Sequence, residues 1–243
     1  GIDYAFTDRF VAGVGAGYAN TNLDFDGNWG RSNIQSYFAS LYGTYFTEKV
    51  YVEGVLSYGK HKYRDNHFID LGPGQLNPSS SHDGDTFSSV LAGGYTFRPK
   101  GFVVQPFAGL SYIYLAEGKV QENGAGAQGL IVNNRQANSL SSEVGMRLAR
   151  PVKVSQGSLI PLVSAAWKYD FQIDKLSVPA AFAARPDVGF ALDSREIGGS
   201  RAVLGAEIAF VGKKGVSASL RYDADLGKHF TSQGVSGQLR ISF

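Results

Sequence analysis

Residues 216–227 read VSASLRYDADLG, and this stretch decides the fold. Its apolar and polar side chains alternate without interruption, with Val216, Ala218, Leu220, Tyr222, Ala224 and Leu226 on one face and Ser217, Ser219, Arg221, Asp223 and Asp225 on the other. Side chains of a strand alternate between two faces, whereas a helix would mix these two sets within two turns. The stretch therefore predicts a β-strand with one apolar face and one polar face.

The same alternation recurs along the chain, for example in 140–148 (LSSEVGMRL) and 235–243 (VSGQLRISF). It predicts strands over 9–25, 33–46, 50–65, 85–97, 102–122, 130–149, 159–171, 200–211, 216–227 and 230–243, with the end of one more strand at 1–6. No composition shift or linker divides them, so residues 1–243 are predicted to form one domain.

Composition excludes several classes of protein. The 243 residues contain no run of about 18 apolar residues, which argues against a transmembrane helix. A net charge of +2 without a Lys/Arg block does not predict nucleic-acid binding, and a chain without Cys can form neither disulfides nor thiolate metal sites. A closed barrel remains, because its strands are apolar on only one face.

The connections between the predicted strands separate into two sets. Short ones lie at 7–8, 47–49, 98–101 and 212–215, with a looser one at 150–158, and they alternate with long ones at 26–32, 66–84, 123–129 and 172–199. Only the last hairpin, around 228–229, departs from this alternation. Short turns on one rim and long loops on the other are typical of outer-membrane barrels. We therefore predict an all-β, antiparallel transmembrane β-barrel, with its C-terminal residue on the short-turn rim.

Five segments carry a resemblance to a known family. They are 1–18 (GIDYAFTDRFVAGVGAGY), 41–43 (LYG), 105–112 (QPFAGLSY), 220–227 (LRYDADLG) and 235–243 (VSGQLRISF). In this order they resemble the autotransporter (type V secretion) C-terminal β-barrel translocator domain over essentially the whole chain. The resemblance is specific because it rests on an ordered series of motifs rather than on the terminal Phe243 alone.

The resemblance implies a twelve-stranded barrel, a lumen helix ahead of the first strand and an N-terminal passenger exported to the surface of a Gram-negative cell. Against that pattern this chain starts inside the second strand, so strand one, part of strand two, the helix and the passenger are expected to be missing. The implied partners are the lipid and lipopolysaccharide of the outer membrane, the barrel assembly machinery, the passenger and the lumen helix, with no nucleic acid. For this chain the resemblance implies a monomer without cofactor, metal or enzymatic activity. It also implies that the long loops are extracellular and the C-terminus is periplasmic.

Charged residues on the polar faces are predicted to form a lumen network. They are Glu53, Glu143, Arg147, Lys168, Asp170, Glu207, Arg221, Asp223, Asp225 and Arg240. A water-filled lumen allows both signs to ionise, where a dry core would not. The network could contact the passenger or simply keep the lumen wet, and a role in passenger autocleavage is disfavoured because no scissile Asn can be placed.

Glycines and the C-terminal strand supply two further candidate features. Gly13, Gly15 and Gly17 share one face of a predicted strand, which suggests either a close approach by something in the lumen, such as the helix that the resemblance implies, or a point of curvature. The resemblance also implies a C-terminal assembly signal, formed by Val235, Leu239, Ile241 and Phe243.

Histidines near the predicted outer rim raise an alternative, an outer-membrane hydrolase such as a protease or lipase. His61 and His229 lie near it, and His67, Asp70, His82, Asp83 and Asp85 are assigned to one long loop. A Gly- and Pro-rich loop offers no rigid support for catalysis, so a solvated loop is the favoured interpretation. A porin-like or adhesin-like barrel without a passenger is the third hypothesis.

Overall fold

The computed structural model of the protein describes residues 1–25, 27, 29–70, 74–173, 177–193, 199–213, 215–228 and 230–242. Nearly all of its regular structure is β, apart from a short 3-10 helix at Gly126–Gln128. The strands are β1 (Ile2–Thr7), β2 (Phe10–Phe25), β3 (Gly30–Phe46), β4 (Val50–His67), β5 (Ile69–Asp70), β6 (Gln75–Leu76), β7 (Ser79–Tyr95), β8 (Val103–Glu117), β9 (Val120–Gln121), β10 (Leu130–Val132), β11 (Arg135–Ala149), β12 (Val152–Val154), β13 (Gly157–Ile173), β14 (Ser177–Phe182), β15 (Gly189–Asp193), β16 (Gly199–Gly212), β17 (Val216–Gly227) and β18 (Thr231–Ile241). Among these residues no helix is long and apolar enough to cross a membrane.

One large antiparallel sheet contains most of the chain. Its order is β1-β2-β3-β4-β7-β8-β11-β13-β16-β17-β18, and the short β12 pairs with the start of β13. Every strand in this path pairs with the next one along it, so the topology is a continuous series of hairpins. The predicted all-β antiparallel class is confirmed, while the twelve-strand count of the full domain stays a prediction.

Contacts across the inner face show that the sheet curls. Arg147 on β11 reaches Glu53 on β4, two strands beyond its neighbour β8, with 3.8 Å between guanidinium and carboxylate. Arg240 on the last strand contacts Asp3 on the first at 2.5 Å. These contacts bring both ends of the sheet within side-chain reach of each other and enclose the polar face as a lumen.

The outer face of the curled sheet is apolar and uncovered. On β18 the side chains of Val235, Leu239 and Ile241 are 72%, 69% and 61% exposed. Few apolar side chains in the described part of the chain are buried, and several of those are alanines. Exposed aliphatic rows opposite a charged inner face match a barrel surrounded by lipid rather than by water.

Three predicted strand boundaries are wrong, all on the long-loop side. The strand predicted over 102–122 ends at Glu117, and the one over 130–149 begins at Arg135, because β9 and β10 leave the large sheet and pair with each other. They join β14 and β15, which lie within the predicted loop 172–199, in a second sheet of order β15-β14-β10-β9. The predicted loop 66–84 likewise contains the β5–β6 pair and the start of β7, which begins at Ser79 rather than Asp85.

Candidate functional site

The lumen face carries most of the ion pairs of the described chain, and the first is centred on Arg201. Its guanidinium lies 2.9 Å from Asp170 on β13 and 3.4 Å from Asp225 on β17, so one cation joins three neighbouring strands. The Asp170 side chain is only 5% exposed. A nearly buried carboxylate needs such a partner, since an unpaired buried charge is strongly unfavourable.

A second cluster surrounds Arg221 on β17. The guanidinium contacts Asp223 at 2.6 Å and Glu207 at 3.4 Å, and it donates to Ser164 Oγ at 3.5 Å. Gly205 makes this possible, because a Cβ built there would lie 2.6 Å from the Arg221 guanidinium. The glycine therefore leaves the space that lets Arg221 reach across β16 to β13.

A third cluster lies nearer the short turns, around Arg147. The guanidinium stacks 4.5 Å above the Phe107 ring and donates to Tyr51 Oη at 3.0 Å, in addition to its contact with Glu53. Both rings lie over glycines: a Cβ on Gly94 would meet the Tyr51 ring at 2.7 Å, and one on Gly145 would meet Phe107 at 2.8 Å. The arrangement ties four consecutive strands of the sheet together across their inner face.

Arg240, the predicted lumen cation nearest the C-terminus, lies at the seam between the first and last strands. Arg240 pairs with Asp3, and Tyr42 Oη donates to the same carboxylate at 3.3 Å. Asp3 therefore links β18, β1 and β3.

Eight of the ten predicted lumen charges thus take part in ion pairs. The other two, Glu143 and Lys168, are register partners on β11 and β13 but form no ion pair within the described residues. The prediction missed Asp3 and Arg201, which complete three of these pairs. Period-two counting could have found Arg201, because Arg201, Val203, Gly205 and Glu207 lie on one face.

A polar cluster at the long-loop end of the lumen was also missed, and it corrects the loop assignment of His82. This residue lies on β7, is 4% exposed, and stacks on Tyr63 with parallel rings 4.4 Å apart. Its Nδ1 lies 3.6 Å from Asp65 and its Nε2 3.9 Å from Glu117, while Arg135 binds the other oxygen of Glu117. Asp83 and Asp85 fall on the same strand, not in a loop.

The cluster lies beyond the lipid-facing band, because the outward positions of β4 change from Leu56 and Tyr58 to lysine at 60 and 62. Burial acts to raise the pKa of Glu117, but His82 and Arg135 more than offset burial and hold that pKa at about 2. Burial, with the nearby Glu117 carboxylate, raises the pKa of Tyr63 to about 12. Glu117 is therefore an ionised carboxylate that joins β8 to β7 and β11.

The remaining histidines occupy separate environments. His61 lies on β4, with its ring nitrogens 2.8 Å from Ser36 Oγ and 2.7 Å from Thr86 Oγ1, and burial lowers its pKa. His67 lies 3.6 Å from Glu122, whereas His229 and the side chain of Asp70 fall outside what the structure describes. No group of three or more His, Asp or Glu side chains in the described chain is arranged to hold a metal ion.

The three predicted close-approach glycines differ from one another. A Cβ on Gly13 would lie 2.4 Å from the carbonyl oxygen of Ile2, so Gly13 accommodates the neighbouring strand β1. A Cβ on Gly15 would meet Ser40 Oγ at 2.7 Å, and one on Gly17 would only touch the Phe38 ring at 3.9 Å. Gly17 is thus the one of the three where an added Cβ would make only ordinary van der Waals contact.

The residues assigned to a C-terminal signal are described only in part. Val235, Leu239 and Ile241 lie on the outer face of β18, which pairs with β17 along its full length. Phe243 lies outside the described residues.

Comparison with known proteins agrees with this architecture. Residues 1–223 match the family model described as "Autotransporter beta-domain". The structure is similar to the translocator domain of the autotransporter NalP from Neisseria meningitidis, with a TM-score of 0.80 and 16% identity, covering 99% of this chain and 78% of that one. It is also similar to the β-domain of the Bordetella autotransporter BrkA, with a TM-score of 0.73 and 17% identity, covering 99% and 87% of the two chains. Comparison with curated protein sequences gave no match.

Proposed function

The chain belongs to the autotransporter β-domain family, and from that membership we propose that it is an outer-membrane translocator that anchors a passenger and assists its export to the cell surface. The observation that supports this function best is the contrast between the two faces of the sheet. An apolar outer face suits lipid, and the inner face holds charged side chains at every level from Arg147 to Glu117.

The paired lumen charges suit the passage of a polypeptide. Ion pairs such as Arg221–Glu207 leave few charges that could trap a passing chain, yet they keep the surface hydrated. Glu143 and Lys168, which form no ion pair within the described residues, remain available for transient contacts with that chain. The lumen network therefore forms a hydrated wall whose charges are largely neutralised. The first expected occupant of the lumen is the passing polypeptide, and the second is a lumen helix.

A hydrolytic function has less support. His82 is the rim histidine with carboxylates on both sides, but at 4% exposure it is closed to a substrate. We therefore propose a translocator without enzymatic activity of its own.

Orientation and assembly complete the proposal. The long connections, with the second sheet, face the cell exterior, and the short turns and the C-terminus face the periplasm. The barrel inserts as a monomer, and its assembly machinery recognises Val235, Leu239, Ile241 and Phe243. The alternation of short and long connections supports this orientation.

Surface display of a passenger tests the function. An epitope placed ahead of Gly1, in the coding sequence that contains this chain, is expected to become accessible to antibody on intact cells. Replacing Gly17 with Trp is expected to lower that signal by filling the lumen, whereas Ala16→Trp, on the lipid face of the same strand, is expected to leave it unchanged.

Both variants must first show the heat-modifiable mobility of a folded barrel. Folded barrels that never display the epitope would contradict the translocator function. Equal display by the two variants would contradict passage through this lumen. Protease added to intact cells is expected to cut in the segment 183–188 between β14 and β15, and cleavage confined to the short turns would reverse the proposed orientation.

A further inference from the structure

The short-turn rim is strongly basic. Among the described residues of this rim, the exposed side chains include two acids, Asp8 and Glu48, against seven bases, Arg9, Lys49, Arg98, Lys100, Arg150, Lys153 and Lys213. The whole chain has a net charge of only +2. Positive charge is therefore concentrated at one edge of the barrel, and the rest of the protein is close to neutral or acidic.

Neighbouring turns contact one another, so these bases lie along one continuous edge. Phe46 N donates to Arg9 O, Thr96 N donates to Lys49 O, and the Arg98 guanidinium donates to Glu48 O at 2.7 Å. These bonds join the first three short turns laterally.

The remaining short turns continue the same edge. The Arg150 guanidinium lies 5.2 Å above the Phe102 ring, which links the third and fourth turns. Lys213 Nζ donates to Ser155 O at 2.7 Å, which links the fourth and fifth. Lateral contacts therefore run along the rim from Arg9 to Lys213.

None of the seven bases forms an ion pair within the described residues, although most cations of the lumen do. Five of them, Arg9, Lys49, Lys100, Arg150 and Lys153, also have no side-chain hydrogen bond there. An uncompensated row of exposed cations creates a positive potential that attracts polyvalent anions.

The rim directly adjoins the lipid-facing band, and this position selects the anion. Exposed aromatic rings lie beside it, with Phe97 49% and Phe102 37% exposed and Tyr95 packed 4.6 Å from Phe97. Aromatic side chains of membrane proteins concentrate at the level of the lipid headgroups. The cations therefore lie at the depth where headgroup phosphates lie.

We propose that this basic rim binds anionic phospholipid headgroups of the periplasmic leaflet, with phosphatidylglycerol as the representative lipid. The assignment to that leaflet rests on the orientation given under Proposed function. Each interfacial Lys or Arg adds to the attraction for anionic lipid, and the effect weakens as salt screens it. The rim would hold the barrel at a defined depth through phosphate contacts beside its aromatic belt.

Lipid retention by the purified chain tests the proposal. The detergent-solubilised barrel is incubated with equal amounts of phosphatidylglycerol and phosphatidylcholine, and the retained lipids are quantified by native mass spectrometry. Wild type is expected to retain phosphatidylglycerol preferentially in 50 mM salt, and the preference is expected to disappear in 0.5 M salt.

Charge-matched variants locate the effect. Replacing Lys49, Lys100 and Lys153 with Gln removes rim cations that form no side-chain hydrogen bond or ion pair in the described structure, and is expected to reduce the preference roughly tenfold or more. The control replaces three exposed lysines at the opposite end, Lys60, Lys62 and Lys119, and is expected to keep the preference. An equal loss in both variants, or in neither, would overturn the proposal.

Competition identifies the source of the anion. Displacement of phosphatidylglycerol by lipopolysaccharide would reassign the rim to the other leaflet, and displacement by a soluble poly-glutamate peptide would reassign it to a protein partner. If the rim variant does not fold, the salt dependence of phosphatidylglycerol retention by wild type still tests the proposal. Retention that is unchanged in 0.5 M salt would exclude electrostatic binding of the lipid by the rim. Epitope display is measured separately, so a barrel that exports its passenger but shows no lipid preference refutes this inference alone.

Discussion

Replacing Glu117 with Gln tests how the long-loop end of the lumen is held together. The carboxylate is buried between His82 and Arg135, and its pKa is about 2, against 4.5 for an ordinary glutamate. That difference corresponds to about 3 kcal/mol of stabilisation while Glu117 is ionised. Gln keeps the shape of the side chain but cannot ionise, so Glu117→Gln is expected to lower the free energy of unfolding by about 3 kcal/mol at pH 7.

The pH dependence of this difference provides a sharper test. The folded pKa of Glu117 is below its unfolded value, so its contribution is complete above pH 4.5 and disappears as the pH falls through 2. The free-energy difference between wild type and Glu117→Gln is therefore expected to shrink to less than about 0.5 kcal/mol at pH 2. Titrating groups that do not contact Glu117 are common to both proteins and cancel in the difference.

Guanidinium unfolding of the refolded chain in zwitterionic detergent, at pH 7, 4 and 2, measures both quantities. Asp187→Asn is the matched control, because Asp187 also pairs with an arginine, Arg185, but its side chain is 66% exposed. The control is expected to unfold like wild type. A difference for Glu117→Gln below about 1 kcal/mol at pH 7, or one that stays constant down to pH 2, would refute the reasoning.

Three further predictions address other parts of the barrel. Gly145→Val is expected to lower the folded fraction on heat-modifiability gels, because a Cβ there would lie 2.5–2.8 Å from three heavy atoms, at a cost of about 1–3 kcal/mol. Arg201→Gln leaves Asp170 nearly buried and unpaired and is expected to lower the free energy of unfolding by roughly 2 kcal/mol, whereas Arg31→Gln, in an exposed pair, should change it by less than about 0.5 kcal/mol in the same denaturant titration. Phe243→Asp is expected to reduce outer-membrane levels on quantitative blots, and unchanged levels would show that no C-terminal signal is read.

At the His82 cluster the sequence pattern and the structure disagree. The turn-forming residues of 66–84 predict a loop that offers no rigid support for a site. In the structure, β7 begins at Ser79, pairs with the outer part of β4, and thereby orients His82 towards two carboxylates. Strand extension beyond the membrane band depends on a partner strand being present, which local composition does not report.

The second sheet is a further example. Leu130–Val132 is a run of three apolar residues that favour strands, and the sequence predicted one continuous strand from 130 to 149. Its backbone instead pairs with Ala180, Ala181 and Phe182, about 50 residues away. Strand propensity indicates that a segment is extended but not which edge it joins.

Alternation alone was sufficient for the β class and the two faces of the strands, because a period of two assigns each side chain to one face whatever its partner is. It therefore placed eight of ten lumen charges among residues that form ion pairs. The family was indicated by the ordered series of motifs that resemble the translocator domain. Which charged residues form ion pairs was decided only by strand register and by the curvature of the sheet. Arg147 reaches Glu53 across two intervening strands, and Arg240 reaches Asp3 at the other end of the chain. Such contacts depend on the tertiary curvature of the sheet, which places residues far apart in sequence within a few ångströms, and no local pattern specifies that distance.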